Sequence, residues 1–350
     1  MAATSMMMLM QGREVNSLGT LRFKSKAVPS SSNGVLMVRA SLQAPTMKDE
    51  VKTILKMTAP NQWNKLLHRN EVEDEMVANP FALGEIVKDN RIFSQNFTIK
   101  SYDMGPSRTA TIETLMNFLQ ETALNHIRNM GLLNDGLGST PEMSEKKLIW
   151  VLSNMHVVVD HYPSWDDNVQ VDNWFISSGN NGQCTEWIIR DCWTKKIYAR
   201  ATSKFVMMNK ETRKLSRIPE GVRREMEPQF LHCSPIMDGD SSRLPKFDYS
   251  RMEHVRTGLT PRWSDLDANQ HVNNVKYVGL MLESVPKSFL KNHELSGITM
   301  EYRKECGKED VLQSLTDCSI DADECNHLLR IEGGTVVARG RTQWRPKQAN

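Results

Sequence analysis

The chain has 350 residues, a mass of 40.0 kDa and 39% hydrophobic residues, enough for one large core or two ordinary ones. A formal net charge of +2 gives no electrostatic case for a nucleic-acid partner. No apolar run approaches the roughly eighteen residues of a membrane-crossing helix, so the composition reads as a soluble protein with no transmembrane segment.

The six cysteines (184, 192, 233, 306, 318 and 325) contain no CxxC pair and no metal-like spacing with histidine. At this chain length they read as reduced thiols, not as a disulfide framework, and no metal site is expected. Residues 1–48 carry Arg13, Arg22, Lys24, Lys26, Arg39 and Lys48 against one acid, Glu14. That basic, serine-containing character without an apolar core fits an organelle transit peptide better than a secretory signal. Residues 49–90 form an N-terminal extension; KDEVKTILKMTAPNQWNKLL within and just before it has the spacing of a short amphipathic helix that Pro60 interrupts.

From Arg91 the signals sharpen. RIFSQNFTIKSY alternates as a strand does, with Phe93, Phe97 and Ile99 on its apolar side. TIETLMNFLQETALNHIRNMG places Ile112, Leu115, Met116, Leu119, Ala123, Ile127 and Met130 at spacings of three and four, a helix of about 28 Å closed by Gly131. Four strand-like runs follow: KLIWVLSNMHVVVD, NVQVDNWFIS, TEWIIRDCW and IYARATSKFVMMN. One long helix and then several strands predict an α+β fold with an antiparallel sheet. Residues 210–255 are charged, contain four prolines and read as a linker.

After this linker the pattern returns. LTPRW reads as a strand, and a helix is expected through Val272, Val275, Val278, Leu282 and Val285 up to Pro286. Strand candidates are LSGITMEYRKE, DVLQSLTDCSI, CNHLLRIE and TVVARGRTQW. Shifting the chain by 162 residues pairs Phe97 with Leu259, Lys100 with Arg262, Asp103 with Asp265 and Glu121 with Glu283. The agreement in order and pattern predicts a tandem repeat, 91–209 and 256–346.

In that register Asp267, Asn269 and His271 stand opposite Gly105, Ser107 and Thr109. A need shared by both copies would keep similar chemistry in both, so the second copy is the candidate for reaction chemistry. In DLDANQHVNN the three residues alternate, and an extended segment would aim all of them to one side. A helix N-cap would need one such residue, not an acid, an amide and an imidazole in phase. EYRKECGKED supplies Glu305 and Cys306, which an ideal strand would turn to opposite faces unless a bulge near Gly307 intervenes. Taken alone, Cys306 fits a small buried residue and Glu305 a solvated charge. His126, among apolar neighbours on the first helix, fits a packed, hydrogen-bonded residue. No Gly-rich phosphate loop or GxSxG elbow is present, and no cofactor is expected.

These residues resemble the plant acyl-ACP thioesterases. NPFALGEIVKDNRIFSQNFTIKSYDMGPSRTATIETLMNFLQETALNH, RATSKFVMMNKETRKLSRIP, LTPRWSDLDANQHVNNVKY and MEYRKECG look like that family's signatures, across about Asn79 to Trp344. ETLMNFLQETALNHIRNMGLL is closer to the saturated-acyl branch than to the oleoyl branch. The resemblance implies a tandem double hot-dog fold, plastid import and release of free fatty acid from acyl carrier protein. It also implies that the first domain shapes the acyl pocket and the second carries catalysis, through Asp267, Asn269, His271, Glu305 and Cys306. Where the family commonly has Arg-Arg-Asp before Trp, this chain has Cys184, Thr185 and Glu186 before Trp187.

Thioester hydrolysis needs an activated nucleophile and donors for the oxyanion. In one route Glu305 and His271 activate water, Asp267 orients them, and Asn269 with helix N-terminal N–H groups holds the carbonyl. In the other, Cys306 attacks with His271 as its base and Asn269 orienting the imidazole. The water route is preferred, because only one of Glu305 and Cys306 should enter the site. Leu115, Met116 and Leu119 are candidate acyl-tunnel residues whose plain alternative is ordinary core. Acyl carrier protein is acidic, so Arg213, Lys214, Arg217, Arg223 and Arg224 are candidates for its docking. A hot-dog hydratase or dehydratase and a non-catalytic acyl-binding protein are the competing functions, and a homodimer is compatible with the sequence.

Overall fold

Glu85–Val87 (β1) lies antiparallel to Ile92–Thr98 (β2), and Phe93 of β2 is buried. The computed structural model describes residues 84–87, 91–132, 139–178, 182–237, 244, 249, 252–319 and 323–347. The leader read as a transit peptide and the helix expected over 48–67 lie outside the described residues.

The first long helix, α1, runs Ile112–Asn129. Thr111 starts it, because its hydroxyl oxygen accepts the Thr114 N–H at 3.1 Å. Gly131 ends it at φ 70°, a left-handed conformation that glycine takes without a Cβ penalty. Ile112, Leu115, Met116 and Leu119, spaced for one face, are all buried. Pro141–Glu145 (α2) then leads into Leu148–Val159 (β3), Asn168–Ser178 (β4), Gly182–Asp191 (β5) and Ile197–Asn209 (β6). Each strand falls where the alternating runs were read.

The stretch read as a linker contains a helix, Glu220–Met226 (α3), with Val222, Met226 and Phe230 buried against Met143, Leu148, Phe175 and Met207. Its charges and prolines hid the apolar spacing of four that packs it. The second repeat begins with His254–Leu259 (β7), so this strand ends where LTPRW was expected to begin it. The second helix is also shorter than expected: Lys276–Leu282 (α4) is followed by a break and then by Lys287–Asn292 (α5), with Pro286 at the start of α5. Proline fits the entry of a helix and not its interior, so the expected stop is a restart. His293–Tyr302 (β8), Leu312–Ser319 (β9), Glu324–Ile331 (β10) and Val336–Pro346 (β11) complete the fold.

The eleven strands of the described residues form one antiparallel sheet in the order β1-β2-β4-β5-β6-β3-β8-β11-β10-β9-β7. From each side toward the middle the same sequence of repeat elements is met: β2, β4, β5, β6, β3 and β7, β9, β10, β11, β8. β3 and β8 meet at the centre, with Met155 opposite Met300. Leu115 and Leu119 of α1, Val278 and Met281 of α4, and Val157, Ile298 and Met300 of the two central strands belong to one hydrophobic cluster. Because Leu115 is fully buried there, Leu115→Ala should lower unfolding free energy by about 2–5 kcal/mol in a urea titration.

Cys318 and Cys325 are direct cross-strand neighbours in the β9–β10 pair and form a disulfide. The reading of all six cysteines as thiols is corrected at this pair. Strand register alone aligns the two side chains, and linear spacing gives no sign of it. Cys184, Cys192 and Cys306 are free thiols.

Candidate active site

The loop before α4 and the loop before α1 share one backbone. Lys100 N–H donates to Asp103 Oδ2 at 2.8 Å, and Arg262 N–H to Asp265 Oδ2 at 2.7 Å. Gly105 N–H reaches Thr109 O at 2.9 Å, and Asp267 N–H reaches His271 O at 2.7 Å. Thr111 N–H donates to Asp103 O, and Asn273 N–H to Asp265 O. Met104 bridges Ala110 as Leu266 bridges Val272. Arg108 has φ 62° and Gln270 φ 63°. Every one of these pairs is separated by the same 162 residues found in the sequence.

Asp267, Asn269 and His271 therefore occupy the structural equivalents of Gly105, Ser107 and Thr109. The backbone does not require the polar set, since the first copy builds the same loop without it. The segment is a turn, which corrects the reading of an extended segment. Asp267 Oδ1 accepts the N–H of Asn269 at 2.8 Å and of His271 at 3.2 Å, so the carboxylate fixes the loop from inside. Asn269 is exposed, and its side-chain amide makes no hydrogen bond to a described residue. Asn273 Oδ1 accepts the Val275 N–H at 2.9 Å, and Lys276 N–H donates to Asn273 O. The Val275 and Lys276 N–H groups at the entry of the seven-residue α4 are thus engaged within the chain.

The loop docks on the chain leaving β8, where Val272 N–H donates to Cys306 O at 2.9 Å. This brings His271 Nε2 to 3.6 Å from Glu305 Oε2. The other oxygen of Glu305, Oε1, pairs with the guanidinium of Arg213. Glu305 and Cys306 face opposite ways, as expected for neighbouring extended residues. Cys306 is 1% exposed and points at Tyr277, with Sγ 3.4 Å and the Cys306 nitrogen 3.3 Å from the Tyr277 hydroxyl. Burial pushes the Cys306 thiol up to about 11, against the opposing effect of the Tyr277 hydrogen bond.

The remaining predicted residues separate. Leu115, Met116 and Leu119 are buried in the shared cluster. Lys214, Arg217 and Arg224 are exposed, and Arg223 is half-buried on α3. Glu186, at the position where the family commonly has an acid before Trp, is buried. Its Oε1 accepts the Ile236 N–H at 3.1 Å and its Oε2 the Trp174 Nε1–H at 3.0 Å. Burial raises its carboxyl above the usual carboxylate range, and the two donors oppose that rise. It ties the segment after α3 to the sheet.

Two contacts escaped the sequence. Arg213 was singled out for docking, yet it meets Glu305. Tyr277 carries a buried hydroxyl, and that hydroxyl's need for a partner was the available signal. Among the described residues no group of three or more His, Cys, Asp or Glu could hold a metal ion, and no helix is long and apolar enough to cross a membrane.

Comparison with known proteins adds identity to this geometry. Residues 90–226 match the acyl-ACP thioesterase N-terminal domain and residues 249–346 the acyl-ACP thioesterase C-terminal domain. The chain is 53% identical over 306 residues to the chloroplastic palmitoyl-acyl carrier protein thioesterase of Gossypium hirsutum, spanning 85% of this chain and 74% of that protein. It is 52% identical over 304 residues to the protein of the same name in Arabidopsis thaliana, spanning 84% and 74%. The 12:0-ACP thioesterase from Umbellularia californica superposes with a TM-score of 0.69 at 45% identity, over 73% of this chain and 98% of that one. With both of its repeats matched in this way, the chain belongs to the acyl-ACP thioesterase family and has its hot-dog fold.

Proposed function

We propose that this chain hydrolyses the thioester of saturated fatty acyl groups on acyl carrier protein, in the plastid, and so ends chain elongation. The observation that carries the reading is the approach of His271 Nε2 to Glu305 Oε2 at 3.6 Å beside a loop whose structural twin lacks these groups. The family membership and the names of its relatives support the substrate class and the compartment.

Water adds to the thioester carbonyl carbon while its proton passes to the Glu305–His271 pair. The oxyanion that forms is held by the exposed amide of Asn269, and Asp267 keeps that loop in place through its two backbone bonds. Collapse breaks the carbon–sulfur bond. The carrier's sulfur leaves with the proton, and free fatty acid is the other product. Residues 91–209 hold the acyl chain, with Leu115, Met116 and Leu119 along it, and residues 256–346 supply the reacting groups. Lys214, Arg217, Arg223 and Arg224 receive the acidic carrier.

The test is purified protein incubated with acyl-ACPs of graded chain length while free thiol is measured with a thiol reagent. Stoichiometric thiol and fatty acid are expected. Altered acyl groups still attached to carrier would indicate a hydratase or dehydratase, and acyl-ACP bound without thiol release would indicate a non-catalytic acyl-binding protein. The mass of the same preparation in solution separates a single chain from a homodimer.

A further inference from the structure

Glu305 has two oxygens, and two groups from different parts of the chain claim them. Oε2 faces His271, from the loop before α4; Oε1 is held by Arg213, from the turn after β6. β6 belongs to the repeat that lacks the polar loop. It lies beside β3, which lies beside β8, so its end reaches the chain leaving β8 across the centre of the sheet.

The turn that carries Arg213 is built in detail. Asn209 Oδ1 accepts the N–H groups of Glu211 at 3.1 Å and Thr212 at 2.8 Å. Arg213 N–H donates to Asn209 O at 2.9 Å, and Asn209 N–H donates to Lys214 O at 2.9 Å. These bonds hold Arg213 at φ 57°, a left-handed conformation in which glycine or asparagine would sit with less strain. A long charged side chain kept at such a position points to a task for its head group. Around Glu305 the alternatives are poor: Lys304 and Lys308 are flexible point charges, and the Arg303 guanidinium is already on Glu301 at 2.5 Å. A planar guanidinium that stays charged at all working pH values fixes a carboxylate's orientation better than either lysine.

We propose that Arg213 is a positioning residue. It anchors one oxygen of Glu305 so that the other faces His271, which makes the reacting pair depend on the repeat that does not itself carry the polar loop. This inference rests on reading Glu305 and His271 as the hydrolytic pair. It also removes Arg213 from carrier docking, since its head group is committed within the chain.

The test uses Arg213→Gly and Arg213→Lys in the full chain, assayed on acyl-ACP and on a carrier-free acyl-N-acetylcysteamine thioester. Arg213→Gly should lower kcat about 10- to 100-fold on both substrates and leave KM for acyl-ACP within about threefold, as for a misplaced catalytic group. Its thermal midpoint should stay level or rise by about 2 °C, because glycine relieves the backbone where a destabilising lesion would lower it. Arg213→Lys should recover part of kcat. Arg213→Asn, also at ease in that conformation, serves as the second variant if glycine disturbs the turn.

A raised KM for acyl-ACP with unchanged kcat, or a loss confined to the carrier-linked substrate, would assign Arg213 to docking and overturn the inference. Full kcat in Arg213→Gly on both substrates overturns it as well. Glu305→Gln run alongside separates the two levels. If it keeps its activity, the hydrolytic pair itself is wrong; if only it loses activity, the pair stands and the role of Arg213 falls.

Discussion

Glu305→Gln and His271→Ala should each lower kcat on acyl-ACP by about a thousandfold, whereas Cys306→Ala should stay within about threefold of the parent. The contrast follows from where the three side chains point. Glu305 and His271 are partly exposed and face each other at 3.6 Å, so solvent reaches both. Cys306 is buried and its thiol is directed at Tyr277. A thiol pushed up to about 11 is about one part in a thousand thiolate at pH 8, and the thiolate is the attacking form.

His271 Nε2 is turned to Glu305, whereas the Cys306 thiol is turned to Tyr277. The Cys306 carbonyl accepts the Val272 N–H and so docks the 267–271 loop. Alanine keeps that carbonyl. Initial rates from thiol release, with thermal midpoints to confirm folding, decide the matter. An acyl-enzyme trapped on the parent protein, together with a dead Cys306→Ala, would reverse the assignment.

The repeat was the most informative thing in the sequence, and its structural basis is now visible. The register that paired Asp103 with Asp265 also pairs backbone hydrogen bonds, the left-handed Arg108 with Gln270, and a short bridge in each copy. Helix α1 was legible because its burial follows a simple period, from Leu115 to Leu119, and the long strands because their runs are rich in apolar and β-branched residues, as in β3. The shape of the 267–271 loop was misread. The first copy carried the missing clue, Gly105-Pro106, a turn signal whose register transfers to Asp267-Ala268.

Other misreadings have a different origin. That Arg213 meets Glu305 depends on β3 alone lying between β6 and β8, and no local pattern encodes that. The same holds for Cys318 and Cys325, which meet only because β9 and β10 pair in one register. Helix α3 was legible in principle: Val222 and Met226 have helical spacing, but four prolines and many charges in the surrounding segment outweighed them.

Stability should fall steeply as pH is lowered from about 6.5 toward 4.5, by about 5 kcal/mol from two histidines alone. His126 on α1 and His327 on β10 are both fully buried. The His126 ring is stacked between Phe93 and Phe175 and donates through Nδ1 to the side-chain Oδ1 of Asn173 at 2.8 Å. His327 bonds Thr316 through Nδ1 at 2.9 Å and Thr342 through Nε2 at 2.7 Å. Burial drives His126 down to about 4 and His327 to about 3, from an ordinary value of 6.5. His156, bonded to Thr299 where the two repeats meet, is lowered for the same reason.

These rings are neutral in the folded chain. In the unfolded chain they take up protons below about pH 6.5, so acid favours unfolding. Their contribution is complete above that pH and is lost as pH falls toward the lowered values, about 2–3 kcal/mol each at pH 4.5. A loss of that size is comparable to the whole stability of many domains. Urea titrations between pH 7 and 4.5 should show stability declining by up to about 2.7 kcal/mol per pH unit from the two sites together. His327→Gln can keep a hydrogen bond to a neighbouring threonine but cannot protonate, so it should remove about half of that slope even if it lowers stability at pH 7. A slope in His327→Gln equal to the parent's would mean that the buried imidazole does not govern the acid transition.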